Sequence, residues 1–121
     1  LESFNLDNVP IISGLEFVSK HPKFRQEVWW YIIRKDYLDQ YHIRFTEKKG
    51  QNNGDFIFTN ECIVQADRIS FLDMTLHRYY QSQDSVMRTT SQNKIEILNH
   101  HLFTTLIDFD DMCKKLKIEN N

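Results

Sequence analysis

The strictest local constraint in the chain is a run of six residues. Tyr41-His42-Ile43-Arg44-Phe45-Thr46 alternates, so an extended backbone puts Tyr41, Ile43 and Phe45 on one face. Upstream, Val28–Ile33 is continuous, β-branched and aromatic, and reads as a strand buried on both faces. Downstream, residues 48–54 form a polar stretch carrying Gly50 and Gly54, a turn signal. The extended pattern resumes over Asp55–Val64, with Phe56 and Phe58 sharing a face. Arg68–Tyr80 reads as extended again, and its apolar phase slips by one at Leu72-Asp73, which a β-bulge explains. Gln81–Asp84 reads as a turn, Val86–Asn93 as a loop with some strand, and Lys94–Leu98 as a last strand.

The two ends differ. Residues 1–12 are a polar lead. Ser13–Lys20 fits a short helix turn with Leu15 and Val18 on one side, ended by His21-Pro22. In the tail, Phe109, Met112, Cys113 and Leu116 recur at helical spacing. Asp108 stands at the expected N-cap, acids follow it, and Lys114, Lys115 and Lys117 lie toward the end, as the helix dipole favours. The sequence therefore predicts a mainly β chain: five strand segments in a small barrel, closed by a C-terminal amphipathic helix.

Composition narrows the class. At 121 residues the chain predicts a single domain over 1–121: a lead over 1–27, a barrel over 28–104 and a helix over 105–118. Ala66 is the only alanine while Phe occurs nine times, which disfavours a helical bundle. The longest apolar run, Val28–Ile33, is far below the ~18 residues of a membrane span. Two distant cysteines, Cys62 and Cys113, make no disulfide framework, and no secretory signal opens the sequence, so an intracellular, reducing setting is expected. The net charge of −2 lacks the basic excess of a dedicated non-specific nucleic-acid binder, so a nucleic-acid role needs a local patch, stacking or a partner.

A pattern-level resemblance follows from this order. Ile12–Phe17 as a Gly-containing lead, Val28–Asp36 as a first strand ending in Arg34-Lys35, Tyr41–Glu47, the Gly50–Gly54 turn, Asp55–Phe58 and a closing Phe109–Leu116 helix resemble small OB-fold subunits. These are the smallest subunit of replication protein A and that of the CST telomere-capping complex. Val28–Asp36 departs from the pattern in lacking a glycine to bend the strand. The resemblance implies a non-catalytic nuclear subunit, assembled with larger OB-fold subunits on single-stranded or telomeric DNA, in or near a telomerase complex. It also implies that Phe109, Met112, Cys113 and Leu116 face a partner helix. The plainer account of the same stripe is that it covers its own core.

For single-strand binding, bases stack on aromatics while cations track phosphates. The candidate platforms are Trp29 or Trp30, Tyr31, Tyr41, Phe45 and Phe58, and Arg34, Lys35, Arg44, Lys48 and Lys49 would supply charge; of these Tyr41 and Phe45 with Arg34, Lys35, Lys48 and Lys49 form the expected surface. Alternation puts Arg44 opposite Tyr41 and Phe45, so these groups do not all line one groove, and aromatics on strands are more often core. His21, His42, His77, His100, His101 and the two cysteines show no metal-ligand spacing. No nucleophile motif or phosphate loop appears, so neither cofactor nor catalysis is expected. Two alternatives stay open. One is an unrelated α+β interaction or adaptor module in which Pro22–Leu38 is a helix burying Phe24, Val28, Tyr31 and Ile32. The other is a small ligand-binding enzyme with His77 or Asp73 as base.

Overall fold

The computed structural model describes residues 10–45, 54–72, 75, 77–81 and 92–118. Its first helix, α1 (Gly14–Lys20), begins where a short polar side chain precedes it. Ser13 is the N-cap, and its Oγ accepts from the Glu16 amide at 3.2 Å. Lys20 Nζ donates to Glu16 Oε1 at 2.6 Å, and the His21 amide closes the last turn on Phe17 O at 2.8 Å. The short helix expected at Ser13–Lys20 is thus present. Just before it, β1 (Ile11–Ile12) pairs antiparallel with β2 (Ile69–Ser70), Ile11 opposite Ser70 and Ile12 opposite Ile69.

The organising element is α3 (Gly54–Val64), which packs on α1 and on α4 (Gln92–Lys115). Phe58, Thr59, Asn60, Cys62 and Ile63 are all buried, so most of its circumference is covered. Gly14 is where α1 seats on it. The Gly14 amide donates to Ala66 O at 2.7 Å, and a Cβ at position 14 would fall 1.6 Å from Ile63 O. On another side, Ile43, Phe58 and Cys62 form a core with Val28, Ile33, Tyr37, Leu38 and Tyr41 packed around it. The buried polar residues of α3 are partnered. Thr59 and Tyr31 meet hydroxyl to hydroxyl at 2.9 Å, and Asn60 Nδ2 donates to Gln26 Oε1 at 2.6 Å and to Phe56 O at 2.8 Å.

This architecture corrects the expected five-stranded OB-like barrel over 28–104. Among the described residues the only strands are β1 and β2, two residues each, and helix predominates. Val28–Ile33 is a 3-10 turn over Val28–Trp30 followed by extended residues without a ladder partner; nor is Pro22–Leu38 one helix. The Tyr41–Thr46 alternation begins at the end of α2 (Lys35–Gln40), with Tyr41 as C-cap. His42 takes φ 54°, and the His42 and Ile43 amides donate back to Asp39 O and Leu38 O, a Schellman closure. Ile43 then points into the core and Arg44 into solvent. Burial alternates only from Tyr41 to Arg44, since Phe45 is exposed, and among the described residues no strand pairs with the segment.

Asp55–Val64 misreads for another reason. A helix apolar on nearly every side carries no helical periodicity, and Phe56 and Phe58 imitate period two. Lys94–Leu98 is part of α4, which begins at Gln92 and not at 105, and Asp108 lies inside it. Residues 46–53, the Asp73 side of the expected bulge and residues 82–91, on which most of the expected Gln81–Asp84 turn and Val86–Asn93 loop fall, lie outside the described residues.

Candidate functional site

A concavity lies between α1, the segment 21–25 and the chain after β2. It is an open cleft of about 480 Å³ walled by Phe17, Phe24, Trp30 and Phe71. That volume is within the roughly 300–1,000 Å³ of ordinary ligand clefts. Phe17 is buried and forms the floor. Phe24 meets it edge-on at 5.4 Å between centroids, and Trp30 lies nearly parallel to it at 6.4 Å. Phe71 and His21 close the other side, each within 6 Å of the Phe17 ring. Trp30 is held by its indole N–H, which donates to Arg25 O at 2.9 Å.

The segment that shapes the cleft is anchored at both ends of its course. Gln26 is tied to Asn60 and Tyr31 to Thr59, both on α3. Burial at that contact pushes the Tyr31 phenol up to about 12, so it stays a neutral hydrogen-bonding group at physiological pH. Lys23 and Arg25 stand on the rim, both exposed. Arg25 lies 5.2 Å over the Trp29 ring, and Trp29 continues the aromatic surface to His77 and Tyr79 at 5.5 and 5.4 Å. Among the described residues, neither Lys23 nor Arg25 has a carboxylate within salt-bridge distance.

Of the residues expected to bind nucleic acid, Trp30 lines this cleft, and the expected cations lie elsewhere. Arg34 is paired with Asp36, and Lys35 with Asp39, which Arg44 also contacts at 2.7 Å. The Arg34 hydrogen bond holds the Asp36 carboxyl below its ordinary range, and hydrogen bonds from Lys35 and Arg44 do the same for Asp39. Tyr41 packs on Tyr37 at 4.9 Å beside the Ile43 core. Phe45 stacks on Phe58 at 3.9 Å and stays half exposed. Lys48 and Lys49 lie outside the described residues.

Of the stripe expected to meet a partner, Met112 is buried, and Phe109 meets Phe56 of α3 edge-on at 5.3 Å. Cys113 and Leu116 are half buried, and Lys115 reaches Glu61 of α3 at 3.7 Å. This part of α4 therefore lies against the chain's own central helix. Cys62 is buried and its thiol is pushed up to about 12 by burial, so it is no nucleophile at neutral pH. Among the described residues no three acidic, His or Cys side chains gather as a metal site would need, and no helix is long and apolar enough to cross a membrane.

The cleft had a trace in the sequence. His21-Pro22-Lys23-Phe24-Arg25 interleaves cations with an aromatic just before Trp29-Trp30; the sequence offers Trp30 as a stacking platform, but reads His21-Pro22 as a helix breaker and assigns Lys23 and Arg25 no role. Phe17 and Phe71 are far apart in sequence and join the site only through folding. No protein-family model matches the chain, and neither a curated protein nor a solved structure is detectably similar to it.

Proposed function

We propose that this chain is a non-catalytic binding module that takes single-stranded nucleic acid on the cleft around Phe17. The observation that supports this reading is the meeting of accessible aromatic rings with two cations that no described carboxylate neutralises. Bases stack on aromatic faces with little regard to sequence, while Lys and Arg follow the phosphates. Trp30 and Phe71 offer the faces, Phe17 the floor, and Lys23 and Arg25 the charge. The barrel that motivated a likeness to OB-fold subunits is gone, so the reading rests on the cleft. A net charge of −2 keeps the attraction local and modest, which suits a subunit working beside larger partners on the same strand.

The test is titration with a fluorescent oligothymidylate and an oligouridylate, read by anisotropy and by quenching of Trp29 and Trp30. Saturable binding with a shallow salt dependence, about 1.4 in the log–log slope for two phosphates, is the expected result. Arg25→Glu should weaken it roughly three- to tenfold. No quenching, or binding indifferent to Arg25→Glu, refutes the reading. Capture of an acidic peptide in place of the oligonucleotide assigns the cleft to an adaptor role instead.

A further inference from the structure

Helix α4 carries two distinct sides. Thr105 and Met112 are buried against the rest of the chain. On another flank, Glu96, His100, Phe103, Ile107, Asp110 and Lys114 follow one another in alternating steps of four and three residues, the spacing of a coiled-coil seam. All six are exposed, Phe103 at 64% and Ile107 at 47%. Leu102 and Leu106 beside them are more than half exposed. An apolar stripe of this size rimmed by charges marks an interaction surface.

The chemistry of the seam is symmetric about Thr105. Phe103 and Ile107 lie two residues to either side, His100 and Asp110 five, and Glu96 and Lys114 nine. We propose that α4 pairs antiparallel with α4 of a second copy of this chain across a two-fold axis at Thr105. Phe103 then meets Ile107 of the other helix at the centre, His100 meets Asp110, and Glu96 meets Lys114, each contact made twice. Asp110 and Lys114 already form an ion pair within α4, so each end of the seam becomes a row of four groups spanning both helices. A parallel pairing would set Glu96 on Glu96, Asp110 on Asp110 and Lys114 on Lys114. Like charges in register make that arrangement unfavourable. This inference is independent of the nucleic-acid reading, since none of the seam residues lines the cleft.

Sedimentation equilibrium of the full chain over a range of concentrations tests it. The wild type should dimerise reversibly. Glu96→Lys sets lysine against Lys114, and Lys114→Glu sets glutamate against Glu96; each should weaken the dimer roughly tenfold or more. The double variant Glu96→Lys/Lys114→Glu restores opposite charges and should recover the wild-type dissociation constant. Phe103→Asp, with helicity checked by circular dichroism, should be monomeric. A wild type that stays monomeric at every concentration overturns the proposal. So does a dimer unmoved by the single reversals, or a folded double variant that does not recover.

Discussion

Two regions of this molecule carry cations beside aromatic rings, and they are built in opposite ways. Around α2, Arg34, Lys35 and Arg44 each sit on a carboxylate, and the nearby rings of Tyr37, Tyr41 and Phe45 are used in packing. Around α1, Lys23 and Arg25 have no such partner among the described residues, and the rings of Trp30 and Phe71 line an open cleft. Composition is nearly the same in both. The spacing of acids is the same, since Glu27 lies two residues from Arg25 and four from Lys23, as Asp36 does from Arg34 and Asp39 from Lys35. What differs is the backbone between them, helical in α2 and not over residues 21–27, so that of these pairs only the α2 ones come within salt-bridge distance. A cationic, aromatic segment is a candidate binding surface only when its charges are not already spent within the fold.

The comparison breaks most severely at Gly14. Its Cα rests against the end of α3, and Gly14→Ala would drive a methyl into the Ile63 carbonyl. Backbone cannot yield as a flexible side chain does, so a loss of about 3 kcal/mol, the upper end of overpacking costs, is expected in urea unfolding. The cleft beside α1 should suffer more than the Ile43 core, and an unchanged midpoint would refute the seating described here.

A smaller effect separates the two regions directly. Trp30→Ala removes a stacking face and should weaken oligonucleotide binding by about 1–3 kcal/mol, while Phe45→Ala should leave binding nearly unchanged. Equal losses in the two variants would erase the distinction. The smallest effect runs the other way. Asp36→Asn combined with Asp39→Asn releases Arg34, Lys35 and Arg44, and should strengthen oligonucleotide binding while steepening the salt slope by about 1. Acid should act like this double variant only at low pH. Both carboxyls are depressed in the folded state, so their pairing is intact above the ordinary carboxylate range and is lost as pH falls below it. A salt slope that the double variant leaves unchanged would show that the α2 acids do not mask a binding surface.

Legibility in the sequence followed how local each determinant is. The α1 helix was readable because Ser13, Glu16 and His21-Pro22 act within one turn of their neighbours. The helical spacing of Phe109, Met112, Cys113 and Leu116 was equally plain, because part of that stripe is one-sided against α3. Asp55–Val64 was not, because with apolar residues on most sides and Thr59 and Asn60 buried as well, no single polar face marks a period. Tyr41–Thr46 misled in a third way. Ile43 is fully buried between exposed His42 and Arg44, as in a strand, yet residues 41–43 are the closure of α2. Alternating burial fixes which side a residue faces and leaves open whether another strand lies beside it.

By itself the sequence determined the short α1 helix with its stop at His21-Pro22, the one-sided stripe near the C-terminus and the shared face of Tyr41 and Ile43. Each depends on residues a few positions apart. Only the tertiary structure decided that α3 is a helix and that Phe17, Trp30 and Phe71 meet around one cleft. Those outcomes depend on groups brought together across the chain, such as Thr59 with Tyr31, Asn60 with Gln26 and Gly14 with Ile63. Their energies come from desolvation and close packing, which exist only once the partners are in place.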